Sequence, residues 1–558
     1  MATNASNHLD CNEPEFASRR SWYSPETGIY TSKHAPVELP SDPFLDVVSY
    51  IFSYQHNGDL ALKDSSSGFS ISYSELFPLV KSMASGLRKM GVSQGDVVLL
   101  LIPNSVYYPI VFLGVLYLGA IVTPLNPLSH ISEIRKQVAE CGVSLAFTLQ
   151  EKIRKLQSLG IPLIGVPENM KELKCSDFSV FYNLVSGSSD LFPRPVIKQE
   201  DRAAIIYSSG TTGVSKGVVL THRNFISMVK LFVRFEASQY EYSSSKNVFL
   251  AVLPMFHIYG LSLFATGLLS LGSMVVVMRT YNTNEVIKVI DKYRVTHFPV
   301  VPPILTALTK GVNGMNRSYL QSLIQVSCGA APLSIKTIED FIHTLPNVDF
   351  IQGYGMTEST AVGTRGFNTE KFRNYSSIGL LAPNMEAKVV DWNTGAFLPP
   401  GSSGELWLRG PSIMRGYLNN DEATMSTVDK NGWLHTGDVV WFDQDGYLHL
   451  SDRLKDIIKY KGYQIAPADL ETVLLLHPEI ADVAVAGVND EETGEMPVAF
   501  VVKKVGSALS QKAILDYVAH QVAPYKKVRK VVFTDSIPRS AAGKILRRQL
   551  RNCLTSKL

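Results

Sequence analysis

Hydrophobic and polar positions fall into three successive patterns along this chain. From Ser41 to about Ile351, β-like runs such as "VVLLLI", "AIVTPL", "AAIIYSS", "NVFLAVLP", "SMVVVM" and "THFPVV" are separated by segments of helical period. Strands buried on both faces lose the simple in–out alternation and read as continuous apolar runs. Their alternation with helices predicts parallel sheets covered by helices. After Pro383 the stretch "AKVVDWNTGAFLPPGSSGELWLRG" reads as short strands between glycine and proline turns, a small β-barrel or a distorted sheet. The C-terminal part reads as a compact α+β unit. There "PADLE" opens a helix, "DVAVAGV" and "VAFVVKK" are strand-like, and "SQKAILDYVAHQV" has helical periodicity. The expected division is a loose polar arm at 1–22, a large N-terminal domain at 23–451, a short hinge at 452–456 and a small domain at 457–558. No internal repeat or low-complexity linker interrupts it.

Two apolar runs approach membrane-spanning length, Val106–Thr123 and Val248–Met278. The first divides at Gly119 into helix and strand, and the second is broken by Pro254, His257 and several glycines. Both therefore read as core elements of an α/β domain, and no transmembrane segment is expected. The N-terminus carries Asp10, Glu13 and Glu15 without an apolar stretch, so it is not a secretory signal.

The chain has 558 residues, too many for one ordinary core. Its 45% apolar and 18% charged content suits a soluble, well-buried enzyme, and the net charge of +3 gives no reason to expect nucleic acid as a partner. The five cysteines are scattered, odd in number and without CxxC spacing, so neither a disulfide framework nor a zinc site is indicated.

Candidate chemistry begins at "YSSGTTGVSKGV", Tyr207–Val218. Its glycines, hydroxyls and lysine suit a phosphate cradle. It is not the nucleotide-hydrolase P-loop, because Ser215 precedes Lys216 where glycine is required and Gly217 follows where Ser or Thr is required. Five further stretches follow in order: "QGYGMTE" (Gln352–Glu358), "GELWLRG" (Gly404–Gly410), "LHTGD" (Leu434–Asp438), "DRLKDIIKYKGYQIAP" (Asp452–Pro467) and "IPRSAAGKILRR" (Ile537–Arg548). Taken singly, these read as turns, a strand between glycine turns, a solvated cationic face and a surface lysine.

Taken together and in this order, from about Tyr23 to Leu558, they resemble the adenylate-forming superfamily of acyl-CoA synthetases. The match is nearest to plant 4-coumarate–CoA ligases and their peroxisomal relatives. The resemblance implies ATP and CoA as co-substrates, Mg²⁺, a small carboxylic acid and a mobile C-terminal domain. It implies that Ser208, Ser209, Gly210, Thr211, Thr212 and Lys216 close over the β- and γ-phosphates. Gln352, Gly353 and Tyr354 would border adenine, Thr357 would meet the α-phosphate and Glu358 would hold Mg²⁺. Asp438 would accept the ribose hydroxyls with Arg453 assisting. Lys544 would be the cation of the adenylate-forming step, with Lys459, Thr211 and Glu358 also in the catalytic set. Rotation about the connector containing Lys455 would then bring Lys459, Lys461, Gly462 and Gln464 to the adenylate and the CoA channel. The acyl pocket is expected from His257, Tyr259, Ala330, Gly353 and Val362, with Lys455, Lys459 and Gln464 also meeting the acyl substrate.

Where 4-coumarate ligases follow "GYGMTE" with an alanine-glycine-proline run, this chain has "STAVGTRG", with Ala361 in the proline position and Arg365 where an apolar residue is common. The acid expected is 4-coumarate or a related hydroxycinnamate. The alternative is a jasmonate precursor or a medium- or long-chain fatty acid, and a luciferase-like oxygenase is more remote. The final Ser556, Lys557 and Leu558 form a peroxisomal address read by an import receptor.

Overall fold

The computed structural model describes residues 22–551, except 169–177, 188–193, 209–214, 241–242, 313–316, 331–332, 334, 369–372, 393, 454–457, 466, 539–546 and 548, and except the side chains of 317, 335–336, 451–453, 464, 468 and 472. Residues 1–21 of the expected polar arm lie outside the described residues, and Trp22, counted as its last residue, is instead packed into the fold. The rings of Trp22 and Tyr23 pack against Tyr30, which stacks on Phe442 at 4.3 Å.

Among the described residues the strands form four sheets. In a seven-stranded sheet Arg202–Ser208, Ile121–Pro124, Val97–Leu101, Val143–Leu149 and Leu163–Val166 run parallel, and Lys216–Thr221 returns antiparallel beside the first. In a nine-stranded sheet the parallel run is Asp349–Tyr354, Gln325–Cys328, His297–Val300, Val248–Ala251, Met274–Val277 and Leu60–Asp64. Both apolar runs that mimic membrane spans are core elements here. The first is the helix Tyr107–Tyr117, buried along nearly its whole length, followed by left-handed Gly119 and the strand Ile121–Pro124. A helix apolar on every face is stable only inside such a core. No described helix is long and apolar enough to cross a membrane.

The texture change after Pro383 corresponds to a six-stranded antiparallel sheet that includes Glu386–Val390, Gly404–Arg409, Leu434–Phe442 and Leu448–Arg453, with register shifts in two of its pairs. Beyond it, Ile458–Tyr460, Tyr463–Ile465, Ile480–Asp490, Gly494–Lys503 and Lys530–Phe533 make a five-stranded sheet. This sheet has its own core of Ile458, Ile465, Leu470, Leu474, Val483 and neighbours. The helices Pro467–Leu475 and Gln511–Ala519 accompany it, the latter capped by Ser510, whose side chain accepts from the Ala513 N–H.

Candidate active site

The strand order places one crevice. Residues just beyond the carboxyl ends of parallel strands in both large sheets meet there: Asn104, Asn126, Ser208, His257, Ala330 and Thr357. Open α/β sheets bind ligands outside these strand ends, where connecting loops converge and backbone groups are free of the ladder. The five-stranded unit supplies the facing wall through Lys461, Gly462 and Tyr463, enclosing a cleft of about 1220 Å³.

At one edge of the cleft the strands Arg202–Ser208 and Lys216–Thr221 form a hairpin in which Ser208 opposes Lys216. Ser215 Oγ donates to the Ser208 carbonyl at 2.9 Å, closing the base of the loop. Ser209, Gly210, Thr211 and Thr212 lie outside the described residues. Behind Ser208 sits Glu358, only 3% exposed. Its Oε1 accepts from Ser208 Oγ at 2.8 Å and from the Tyr417 hydroxyl at 3.0 Å. The Lys216 ammonium lies 4.6 Å from the centre of the Tyr417 ring. Partial burial pulls the Lys216 pKa below its usual value, and the nearby Glu358 carboxylate acts in the opposite direction. Hydroxyls, a carboxylate and a lysine are thus gathered where the loop begins and ends. Tyr417 carries no motif that singles it out, because its partner is 59 residues away in sequence.

A second polar pair stands beside this group. The Tyr354 hydroxyl donates to Asp438 Oδ2 at 2.7 Å, and Asp438 is 1% exposed. "LHTGD" is therefore no solvated turn: it begins the long strand Leu434–Phe442, which faces inward at every second residue including Asp438. Arg453 pairs with Asp438 across the adjoining strand. Gln352 Nε2 donates to the Tyr375 carbonyl at 2.8 Å, fixing the end of Asp349–Tyr354.

Along the cleft wall, His257 caps the short helix that follows it, its Nδ1 accepting from the Tyr259 N–H. Burial lowers its pKa to about 4, so it is neutral at physiological pH. Burial likewise pushes the Tyr259 hydroxyl up to about 12. Ala330 sits in the left-handed region at φ 67°, and a Cβ on Gly329 would lie 3.6 Å from the Tyr259 ring. The described wall of the cleft does not include Gly353 or Val362. Val362 is fully buried, and Gly353 pairs with Arg365 in the adjoining strand. The Arg365 guanidinium is buried and bonded to Glu236 at 2.6 Å. Burial disfavours its charge, but Glu236 and Tyr259 hold it protonated.

From the C-terminal unit, Lys461 and Gly462 reach the cleft, whereas Lys459 is half-buried on its strand, on the face opposite Ile458 and Tyr460. Lys455, Lys544, Ser556, Lys557 and Leu558 lie outside the described residues, as do the side chains of Arg453 and Gln464.

Residues 52–418 match the family profile described as AMP-binding enzyme, and residues 469–544 match that of the AMP-binding enzyme C-terminal domain. The chain belongs to the AMP-binding enzyme family. Among similar AMP-binding enzymes, 4-coumarate–CoA ligase-like 6 of Arabidopsis thaliana is 59% identical over 96% of this chain and 95% of its own length. Peroxisomal OPC-8:0-CoA ligase 1 of the same plant is 44% identical over 96% of this chain and 98% of its own. A solved o-succinylbenzoate CoA synthetase from Bacillus subtilis, bound with the product analogue OSB-NCoA, superposes with a TM-score of 0.78 at 25% identity, over 91% of this chain and 98% of that one. This AMP-binding enzyme is an AMP-forming acid–CoA ligase. It activates a carboxylic acid with ATP as the acyl-adenylate and passes the acyl group to CoA.

Proposed function

We propose that the acid is a planar phenylpropenoate, 4-coumarate or a related hydroxycinnamate, activated in the peroxisome with the help of Mg²⁺. The observation that supports this acid is the cleft wall. The Tyr259 ring lies against the backbone at Gly329, Ala330 has a short side chain beside it, and neutral His257 offers one polar partner at the edge. A flat aromatic acid with a small polar group suits such a wall better than a flexible chain, which would lose rotamer freedom on entering.

In this reading the 208–216 loop closes over the β- and γ-phosphates, with Ser208, Ser209, Gly210, Thr211, Thr212 and Lys216 donating to them. Gln352, Gly353 and Tyr354 border adenine, Thr357 meets the α-phosphate, and Asp438 takes the ribose hydroxyls with Arg453. Glu358 fits Mg²⁺, which binds readily through one carboxylate plus substrate phosphates and would neutralise phosphate charge there. Lys544 supports the charge that grows when the acid attacks the α-phosphate. The C-terminal domain then turns about the 452–456 hinge, withdrawing Lys544 and presenting Lys459, Lys461, Gly462 and Gln464.

A longer or cyclopentanone acid is the second reading. It is favoured by the similarity to the peroxisomal OPC-8:0-CoA ligase. The deciding measurement is kcat/KM for 4-coumarate, medium-chain and cyclopentanone acids under one set of conditions. One more buried CH₂ contributes only about 0.8 kcal/mol, so graded preference is expected, with 4-coumarate first. An aliphatic or cyclopentanone acid preferred by about tenfold, some 1.4 kcal/mol, replaces the aromatic assignment with the second.

The proposed peroxisomal address has its own test. Removing Ser556–Leu558 is expected to leave activity in vitro unchanged and the protein in the cytosol. Import that continues without the three residues overturns it.

A further inference from the structure

Among the described residues, one ion pair crosses from the N-terminal sheets to the five-stranded unit at the cleft. Lys526 follows the helix Gln511–Ala519, and its Nζ bonds Glu133 Oε1 at 2.6 Å. Glu133 lies in the first turn of the helix Ile131–Cys141, far away in sequence. The same ammonium bonds Asp469 Oδ2, within its own unit, at 3.1 Å. The Lys526 side chain is 14% exposed and that of Glu133 is 26% exposed, so the pair is screened less than a surface contact. Burial alone would lower the Lys526 pKa; Tyr525 and the carboxylates of Glu133 and Asp469 outweigh it and hold the ammonium charged.

The pair leads directly to the turn that enters the cleft. Tyr525, next to Lys526, lies beside Ser129 and Asn126 on the cleft wall, just ahead of the Glu133 helix. Its ring stacks on Tyr463 at 4.4 Å. Tyr463 closes the two-residue turn Lys461–Gly462 opposite Tyr460. Both turn residues have positive φ, 49° and 80°, as a tight I′-type hairpin requires, so the turn moves as one piece with its strands. A Cβ on Gly462 would lie 3.2 Å from Val301, so the turn is seated against the strand ends of the nine-stranded sheet.

Neither partner is stranded if the two units separate. Lys526 keeps Asp469, and Glu133 Oε2 keeps the His130 N–H of its own capping box at 2.9 Å. A buried pair whose separation orphans a charge is costly to break. This one breaks cheaply on both sides, as a contact made and released in each catalytic cycle must.

We infer that Glu133 and Lys526 form a reversible latch that positions the Lys461–Tyr463 turn for the thiol half-reaction. Both are positioning residues, acting through Tyr525 and Tyr463, and the inference rests on the two-step ligase activity described above. The latch adds stability to one domain orientation only, so it biases the second half-reaction and leaves the first unaided.

The test separates the halves. Glu133→Gln keeps the helix cap, because glutamine also serves in a capping box, and removes the charge seen by Lys526. It is expected to slow thioester formation from supplied acyl-adenylate and CoA by about 5–20-fold. ATP–pyrophosphate exchange should stay within about twofold, an energy change of a few tenths of a kcal/mol. Lys526→Met should show the same split, Lys526→Arg should restore most of the thiol rate, and Glu133→Gln should add nothing to Lys526→Met. Equal slowing of both halves, or additive effects of the two substitutions, overturns the latch. Wild-type protein lacking both half-reactions would instead overturn the ligase activity on which the latch rests.

Discussion

Replacing Lys544 with alanine is expected to slow ATP–pyrophosphate exchange by about 10²–10³-fold, the cost typical of removing one preorganised donor to transition-state charge. Thioester formation from a supplied acyl-adenylate is expected to continue at close to the wild-type rate. The asymmetry follows from where charge develops. In the first step a carboxylate approaches the α-phosphate, two anions are forced together, and negative charge grows on the non-bridging oxygens. A lysine there interacts more strongly with the transition state than with the ground state, which is the condition for faster chemistry. In the second step a thiol attacks an acyl carbon and AMP leaves, and the Lys461–Gly462 turn of the C-terminal unit is seated in the cleft. The measurement is the ratio of the two half-reaction rates in wild-type and variant protein. Equal loss in both would remove the division of labour between the two cationic motifs.

The elements that periodicity makes visible are those whose reason is local. Tyr107–Tyr117 reads as a buried helix because eleven successive positions leave no polar face, and left-handed Gly119 ends it on the way to Ile121–Pro124. The loop at Tyr207–Val218 and "QGYGMTE" likewise mark strand ends that line the cleft, since each falls at the end of an apolar run. Composition misleads at "LHTGD", where glycine and polar residues suggest a turn. The neighbours Gly404–Arg409 and Leu448–Arg453 recruit it into a strand and bury Asp438. No local pattern announces Tyr417 beside Glu358, Glu236 beneath Arg365, or Glu133 under Lys526. These partners are 59, 129 and 393 residues apart in sequence, and only the packing of distant elements brings them together. Arg365 stands out as a charge where an apolar residue is common, but its carboxylate partner on a distant helix cannot be read from that strand position alone.

Replacing Asp438 with alanine is expected to raise the KM for ATP by about 10- to 150-fold, corresponding to the roughly 1.5–3 kcal/mol of a hydrogen bond to a charged group. The carboxylate is buried to 1% exposure and receives the Tyr354 hydroxyl at 2.7 Å, so its position is set before nucleotide arrives. Preorganisation matters here, because a flexible surface carboxylate would lose rotamer freedom on capturing the ribose hydroxyls. Alanine removes the proposed acceptor for ribose and also leaves the buried Tyr354 hydroxyl without this partner, so some loss of thermal stability should accompany the change in KM. Two controls separate these effects. Asp438→Asn retains an oxygen for Tyr354 but loses the charge, so it should recover most of the stability and only part of the ATP affinity. Tyr354→Phe removes the hydroxyl and keeps the ring, so it should raise the KM for ATP less than Asp438→Ala does. Comparing the KM for ATP and Tm across the three variants decides the matter. If Asp438→Ala lowers Tm while the KM for ATP stays within about twofold, a few tenths of a kcal/mol, Asp438 is a structural anchor for Tyr354 and the ribose site lies elsewhere.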